Sequence, residues 1–588
     1  MEQIANSVLV FSLGPVQSFI AEARRAADLF TGSTILSELA KAAAQAIDTG
    51  TQAIDTGTLV YPASVEDVNV PNVLVACLPA KDAPSVVQRA QDALHQRWHE
   101  IADSAKQKFA ELGVVDETFD AIWNRQLENF WEIYWAIAED TSGYPDAYMR
   151  ARAALDAAKR SRLFAPSEEP GIKDTLSGQR EALHRNGQIS YHDVKSFWRH
   201  IAQSVGPSRL RPEGRERLDA IGATKRFCDL ANKSFPSTST VAVLDFIRRA
   251  QQRALDELHA HRGAVAELLG SCAYQPRPSD PDWPFDGDLL FEETFTPDRL
   301  GDSYALAQPD REKLNAARQT LKALYKAVGD SPSTYYALLV FDGDDMGQRI
   351  SKCLQQSNPR QAHTQLSRSL VVFAQCVRKI FKDAPECLIY NGGDDVMAFL
   401  PIEWALDKAK ALACAFETVA RQDAPIYGTA SAGLVLVHHL HPLDAALRAA
   451  RAAEAQAKQM PGKAALCITA LKRSGEQVNA VTKWNDLDRL KLLVDSMKQG
   501  HLASSFVSDA MLNLEAIPSD SLDMLGMELR RQARRHGAEA WVKRGEADQL
   551  AEQLTNWADR LPSKAEDLRN WINIARFIVR ESSAEAAH

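Results

Sequence analysis

Cys387-Leu-Ile-Tyr-Asn-Gly-Gly-Asp-Asp-Val-Met-Ala-Phe-Leu400 is the stretch on which the fold turns. Two apolar runs, 387–390 and 396–400, flank Asn391, Gly392, Gly393, Asp394 and Asp395. Asn-Gly between apolar runs is a hairpin signal, because both residues tolerate positive φ. The second glycine lets a ligand approach the backbone closely. Two antiparallel strands are expected here, with Asp394 and Asp395 opening the second.

Outward from this hairpin, residues 335–341 are a continuous apolar run, as for a strand covered on both faces, and the run ends at Asp342. Helical periodicity follows over 359–381, 402–421 and 443–458, with further strands over 427–438 and 464–470. The order is βαββαβ with extra elements, which predicts a ferredoxin-like unit. In such a sheet the first and third strands are antiparallel neighbours. Asp342 therefore belongs in space beside Asp394 and Asp395.

Three carboxylates at one sheet edge repel each other unless a cation sits between them. Hard oxygen ligands of this kind suit Mg²⁺ or Mn²⁺, with substrate phosphates completing the shell. Two such ions activate an attacking hydroxyl and stabilise a leaving pyrophosphate. Phe341-Asp-Gly-Asp-Asp-Met-Gly347 adds a turn at Gly343 whose amides can face phosphates. Lys458, Lys472 and Arg473 are candidates to neutralise a triphosphate. Asp-Gly-Asp and Gly-Asp-Asp are each common as acidic turns, and Lys458 also fits a helix-end cation favoured by the dipole. Together, in order and on matching strand ends, they specify a metal–nucleotide site.

The N-terminal part repeats the pattern. Strands are expected over 8–13, 59–62, 73–78 and 130–138, with helices over 19–47 and 83–112 and with Leu29, Leu36 and Leu39 in the core. No catalytic acids are expected between the middle strands of this second βαββαβ unit, which has only Val65-Glu-Asp-Val-Asn-Val-Pro-Asn72 there. A short tandem copy, residues 46–52 and 53–58, reads as a loop expansion. Residues 143–332 are mostly helical, interrupted by the Pro-rich stretch 274–284, and 481–588 are helical with Trp541, Trp557, Trp571 and Phe577 as anchors. The fold class is thus α+β: two ferredoxin-like domains, 1–142 and 333–480, a helical domain over 143–332 between them, and a helical C-terminal domain over 481–588.

The bulk numbers fit this plan. At 588 residues, about four domains are expected. No apolar run reaches the roughly 18–20 residues of a membrane span, and Met1-Glu2-Gln3 does not begin a secretory signal. The eight cysteines form no Cys-x-x-Cys pair, which points to free thiols in a reducing cytoplasm. The net charge of −9 does not favour nucleic acid in bulk, although basic clusters occur at 159–162, 209–217 and 530–535. His192-Asp193 lacks the further histidines of a metal phosphohydrolase, and His438, His439 and His441 read as an ordinary strand end.

The motifs together resemble the large palm-containing subunit of Cmr-type (type III-B) CRISPR RNA-guided effector complexes. The matching stretches are Gly14-Pro-Val-Gln-Ser-Phe-Ile20, Ala23-Arg-Arg-Ala-Ala-Asp-Leu-Phe-Thr-Gly-Ser33, Glu132-Ile-Tyr-Trp135, Phe235-Pro-Ser-Thr-Ser239 and Tyr335-Tyr-Ala-Leu-Leu339. Asp342-Gly-Asp-Asp-Met-Gly347, Tyr390-Asn-Gly-Gly-Asp-Asp395, Ser431-Ala-Gly433 and Lys472-Arg-Ser-Gly-Glu476 carry the resemblance furthest. It implies two palm domains related to nucleotide cyclases, the second holding the GGDD motif. It implies synthesis of cyclic oligoadenylates from ATP when target RNA is bound. Asp342, Asp394 and Asp395 would hold the metals, and Lys458 the triphosphate. The implied partners are other Cmr-type subunits, CRISPR RNA, target RNA and a small helical subunit at the C-terminal domain, with the basic helix near Arg530 close to RNA. Two departures are expected: no N-terminal HD nuclease domain, and no zinc site, because Asp174 and Ser177 stand where cysteines are often found. The first palm would bind a second nucleotide, with Ser33 and the Gly14 loop as candidates, or support the site without supplying metal ligands. Other adenylyl products from the same site, or a structural subunit with an idle site, remain as alternatives.

Overall fold

In the computed structural model, which describes residues 6–49, 59–65, 69–161, 169–187, 189–232, 235–273, 280–422, 428–518 and 521–582, two sheets organise the chain. The first comprises β1 (Asn6–Gly14), β2 (Leu59–Tyr61), β3 (Val73–Pro79) and β4 (Glu132–Glu139), in the order β2-β3-β1-β4, all antiparallel. That is the ferredoxin-like order. Side chains alternate across a strand, so Leu9 and Phe11 meet Leu36 and Leu39 of the helix Ala26–Thr49 and Val87 and Leu94 of the helix Ala83–Glu111. Val8 and Val10 point the other way, onto Tyr148, Ala151 and Leu155 of the helix Tyr144–Arg160.

Two details differ from expectation. The helix expected over 19–47 is interrupted: Gln17–Ala21 ends before Ala26–Thr49 begins. The buried Lys225 ammonium donates to the carbonyls of Phe19 and Glu22. It satisfies helix-end acceptors that a continuous helix would have paired internally. An unforeseen helix, Glu117–Glu128, precedes β4; Asp116 caps it by accepting from the Phe119 amide at 2.9 Å. Residues 50–58, which hold most of the tandem copy, and Glu66 and Asp67 lie outside the described residues.

The second sheet comprises β5 (Tyr335–Gly343), β6 (Leu388–Gly392), β7 (Asp395–Pro401), β8 (Ala430–His438), β9 (Ala465–Leu471) and β10 (Gln477–Lys483), in the order β10-β9-β8-β5-β7-β6. Its β8-β5-β7-β6 part repeats the ferredoxin-like order. The helix Leu443–Gln459 crosses over to bring β9 in parallel to β8. β10 crosses the boundary drawn at 480; only every second residue is buried, so it carries little apolar signal.

Both faces of β5 are covered, as its sequence predicts. Tyr335, Ala337, Leu339 and Phe341 pack with Phe373, Val377, Leu412 and Phe416 of the helices Pro359–Ile380 and Ile402–Gln422. Tyr336 and Leu338 pack with Ala446, Leu447 and Ala450 of the helix Leu443–Gln459, and with Leu314 and Leu321 of the inter-palm helix Arg311–Val328. The C-terminal helices join the first of these cores through Leu568, Trp571 and Ile574. A buried ion network ties the first sheet's helix to the inter-palm region. Arg226 grips Asp28 at 2.5 and 2.6 Å and reaches Glu216 at 3.3 Å, and Arg25 reaches Glu216 at 3.0 Å. No described helix is long and apolar enough to cross a membrane.

Candidate active site

The β6–β7 hairpin is tighter than its sequence suggests. Asn391 and Gly392 stay in the ladder, paired with Val396 and Asp395, so the two loop residues are Gly393 and Asp394. Gly393 has φ +85°, the requirement of a type II′ turn at its first position. Gly392 serves differently: a Cβ there would lie 1.6 Å from the Tyr390 hydroxyl. The Asn391 side-chain amide donates to the Ala374 carbonyl at 2.8 Å and anchors the hairpin on the helix beneath.

Register then brings the acids together. Phe341 pairs with Val396, so Asp342 and Asp395 are cross-strand neighbours. By alternation both lie on the face that carries Tyr336, Leu338, Met397 and Phe399, and the helix Leu443–Gln459 covers that face. Asp394 reaches across from the turn. A Cβ on Gly343 would lie 2.9 Å from the Asp394 Cβ, so the glycine is what admits this side chain. Lys458, in the last turn of the covering helix, donates to Asp342 and pairs with Glu454 at 2.6 Å.

The electrostatics are those of crowded carboxylates. Desolvation, then the charge of Asp342, raises the Asp394 carboxyl to about 6. Asp395 is raised well above the ordinary range by desolvation, a hydrogen bond with Asp342 and the charges of both acids. Its surface is exposed, so the neighbouring carboxylates are the firmer cause. Burial opposes the charge of Lys458, but the hydrogen bonds to Asp342 and Glu454 prevail and raise its pKa. Among the described residues no three acidic, histidine or cysteine side chains form a ready-made metal cage. Mg²⁺ does not need one: it is held by one or two carboxylates, water and substrate phosphates. The donor set of Asp342, Asp394 and Asp395 fits that coordination.

Lys472 and Arg473 do not belong to this site. β8 runs antiparallel to β5 and parallel to β9, and Leu471 aligns with Val437, which pairs with Tyr336. The chain after β9 therefore emerges at the Tyr335 end of the sheet, roughly 24 Å along the strand from Asp342 at about 3.4 Å per residue. There the Arg473 amide donates to the Tyr335 hydroxyl at 3.0 Å, and Lys472 pairs with Glu476 at 2.8 Å.

Three groups at the acidic edge escaped the sequence reading. Lys463 pairs with Asp345 at 2.6 Å. Arg349 faces Asp394, and a Cβ on Gly428 would crowd its guanidinium at 2.7 Å. Asp344 is buried and joins three loops: its amide donates to Thr429 O at 2.8 Å, and its carboxylate accepts from Thr429 Oγ1 at 2.7 Å and from the Ala464 amide at 3.0 Å. The only sequence signal for Lys463 was its place just before the apolar run at 464–470.

The other sequence candidates have the following partners. Asp193 closes a capping box with Ser190. His439 bonds Ser239 at 2.8 Å and stacks on Phe291. Asp174 accepts from the amides of Leu176 and Ser177 at 2.7 Å and closes a turn. Ser33 is buried, and Gly14 pairs with Glu132 in the sheet. On the basic C-terminal helix, Arg531 pairs with Glu528, Arg530 and Arg534 with Asp548, and Arg535 with Asp509. These partners lower the charge the helix can offer to a phosphate backbone.

Comparison with known proteins gives consistent matches. Residues 335–467 match the model of the Cas10/Cmr2 second palm domain, and residues 8–103 match that of the CRISPR-associated protein Cmr2 N-terminal region. The CRISPR system Cmr subunit Cmr2 of Pyrococcus furiosus is 33% identical over 281 residues, a match spanning 42% of this chain and 32% of that relative. The apo Type III-B Cmr-beta structure matches with a TM-score of 0.64 and 12% identity, covering 99% of this chain and 82% of the other. Cmr-beta bound to cognate target RNA gives a TM-score of 0.61 at 12% identity, over 92% of this chain and 79% of the other. At that identity the two structures speak to fold alone.

Proposed function

The chain belongs to the Cas10/Cmr2 family, and from that premise we propose that its second palm makes cyclic oligoadenylates from ATP within a type III-B effector complex holding target RNA. The observation that carries the reading is the convergence of Asp342 and Asp395 on one sheet face with Asp394 folded over Gly343. In each step the 3′-hydroxyl of one adenosine attacks the α-phosphate of another ATP. The 3′-O–P bond forms, the bond to the β-phosphate oxygen breaks, pyrophosphate leaves and the hydroxyl proton is lost. Ring closure repeats the step within one oligomer.

Asp342, Asp394 and Asp395 would hold Mg²⁺ or Mn²⁺, which supplies Lewis-acid stabilisation of the attacking and leaving oxygens. Lys458 neutralises Asp342 in the free chain and turns to the triphosphate when nucleotide binds. Lys463 and Arg349 add positive charge at the same edge. The partners in this reading are the other Cmr-type subunits, CRISPR RNA and target RNA, in the cytoplasm. Leu512, Met524 and Met527, exposed on the C-terminal helices, provide the surface for a small helical subunit.

The test is the assembled complex with ATP, Mg²⁺ and matching target RNA, its products resolved by chromatography. Asp394→Asn with Asp395→Asn is expected to lower product formation at least about 100-fold, the scale of losing transition-state charge stabilisation. Unchanged output would remove the site assignment. A linear or mixed adenylyl product from the wild type would replace the cyclic one.

A further inference from the structure

The catalytic turn is held from outside its own domain. The Asn69 side-chain amide, from the β2–β3 connection of the first palm, donates to the Asn391 carbonyl at 2.8 Å. Asn391 is the residue before Gly392, and its own amide is already fixed to Ala374. The carbonyl can only accept, so Asn69 must present its NH₂ group. Nearby, the Tyr61 hydroxyl lies 3.6 Å from where a Gly393 Cβ would be, so first-palm atoms also flank the turn itself. A second bond between the palms, from the Ala63 amide to Ser367 Oγ at 2.8 Å, lands on a helix and not on the turn.

We propose that Asn69 of the first palm is a positioning residue for the second palm's Gly392–Asp395 turn. The two loop residues Gly393 and Asp394 lie outside the ladder, and a glycine at positive φ adds freedom. Catalytic carboxylates must be held to within about 0.5 Å of the productive geometry. Both anchors land on Asn391, the last residue but one of β6: Ala374 holds its side chain and Asn69 holds its main-chain carbonyl. The first palm thereby acts on the chemistry of the second.

For its activity arm the inference rests on the nucleotidyl-transfer reading above. Asn69→Leu removes the donor, and Asn69→Asp keeps the shape but places an acceptor against the carbonyl. Ser367→Ala is the control, because it breaks a bond between the palms away from the turn. In the reconstituted complex, both Asn69 variants are expected to lower kcat about tenfold, with the ATP KM within about twofold of wild type. Ser367→Ala should stay near wild type, and the melting temperature of the full chain should move by no more than about 2 °C in any variant. Equal kcat in wild type and both Asn69 variants would overturn the proposal, as would an equal loss in Ser367→Ala. If the wild type makes no adenylate product, the reaction assignment fails and the positioning claim is decided on the full chain by Mn²⁺ titration with electron paramagnetic resonance. Weaker Mn²⁺ binding in the Asn69 variants alone supports it; unchanged binding refutes it.

Discussion

Glu403, in the first turn of the helix after β7, has its Oε2 buried and without a hydrogen-bond partner. Desolvation, then the charge of Asp245, raises its carboxyl from 4.5 to about 8, while Lys498 and Arg249 oppose the shift. The folded state therefore binds this proton more tightly than the unfolded chain does. The resulting stability is complete below about pH 4.5 and is lost as pH rises through about 8. Glu403→Gln is expected to raise the melting temperature by several degrees at pH 8 and to leave it almost unchanged at pH 5. An equal shift at both values would show that the carboxyl does not titrate in this window. At this scale the sequence was informative about acids and poor about cations. Asp342, Asp394 and Asp395 stood out because two acidic turns, each common alone, fall in order on matching strand ends. Lys463 and Arg349 could not be told from ordinary surface charges until their neighbours were known.

At the scale of the element, Gly433 explains the Ser431-Ala-Gly433 motif. A Cβ there would lie 2.4 Å from both the Ala450 carbonyl oxygen and the Glu454 amide, so the glycine lets the helix Leu443–Gln459 lie flush on β8. That contact sets the height at which Lys458 meets Asp342. Gly433→Ala is expected to destabilise the chain by about 1–3 kcal/mol through overpacking, read as a lower urea midpoint. An unshifted midpoint would mean that the helix can move away freely. The elements were mostly legible. The continuous apolar run of β5 and the periodicity of its flanking helices predicted a strand covered on both sides, and the structure has it. The hairpin was found, but its loop moved by two residues, because Asn391 is held in the ladder by Ala374 and by its pairing with Val396.

Across the whole molecule, the first palm is joined to the inter-palm region by charge as well as by apolar packing. Arg226 and Asp28 are both nearly inaccessible, with side chains 4% and 1% exposed. Arg226→Met leaves Asp28 buried without its partner and is expected to cost about 3–5 kcal/mol. Adding Asp28→Leu should recover part of that loss, and thermal unfolding of the single and double variants measures both. A neutral single variant would show that the network is idle. The sequence by itself determined the two ferredoxin-like units, the helical segments around them and the meeting of Asp342 with Asp394 and Asp395. Those follow from local periodicity and from the fixed antiparallel neighbours of one sheet. It did not determine which end of the sheet the later loops reach. β9 runs parallel to β8, so the loop before it, with Lys463, arrives at the acids, and the loop after it, with Lys472 and Arg473, arrives at the opposite edge. Strand direction is set by the crossover helix and its packing, which no local pattern records, and Asn69 reaches the Gly392–Asp395 turn only because the two palms meet there.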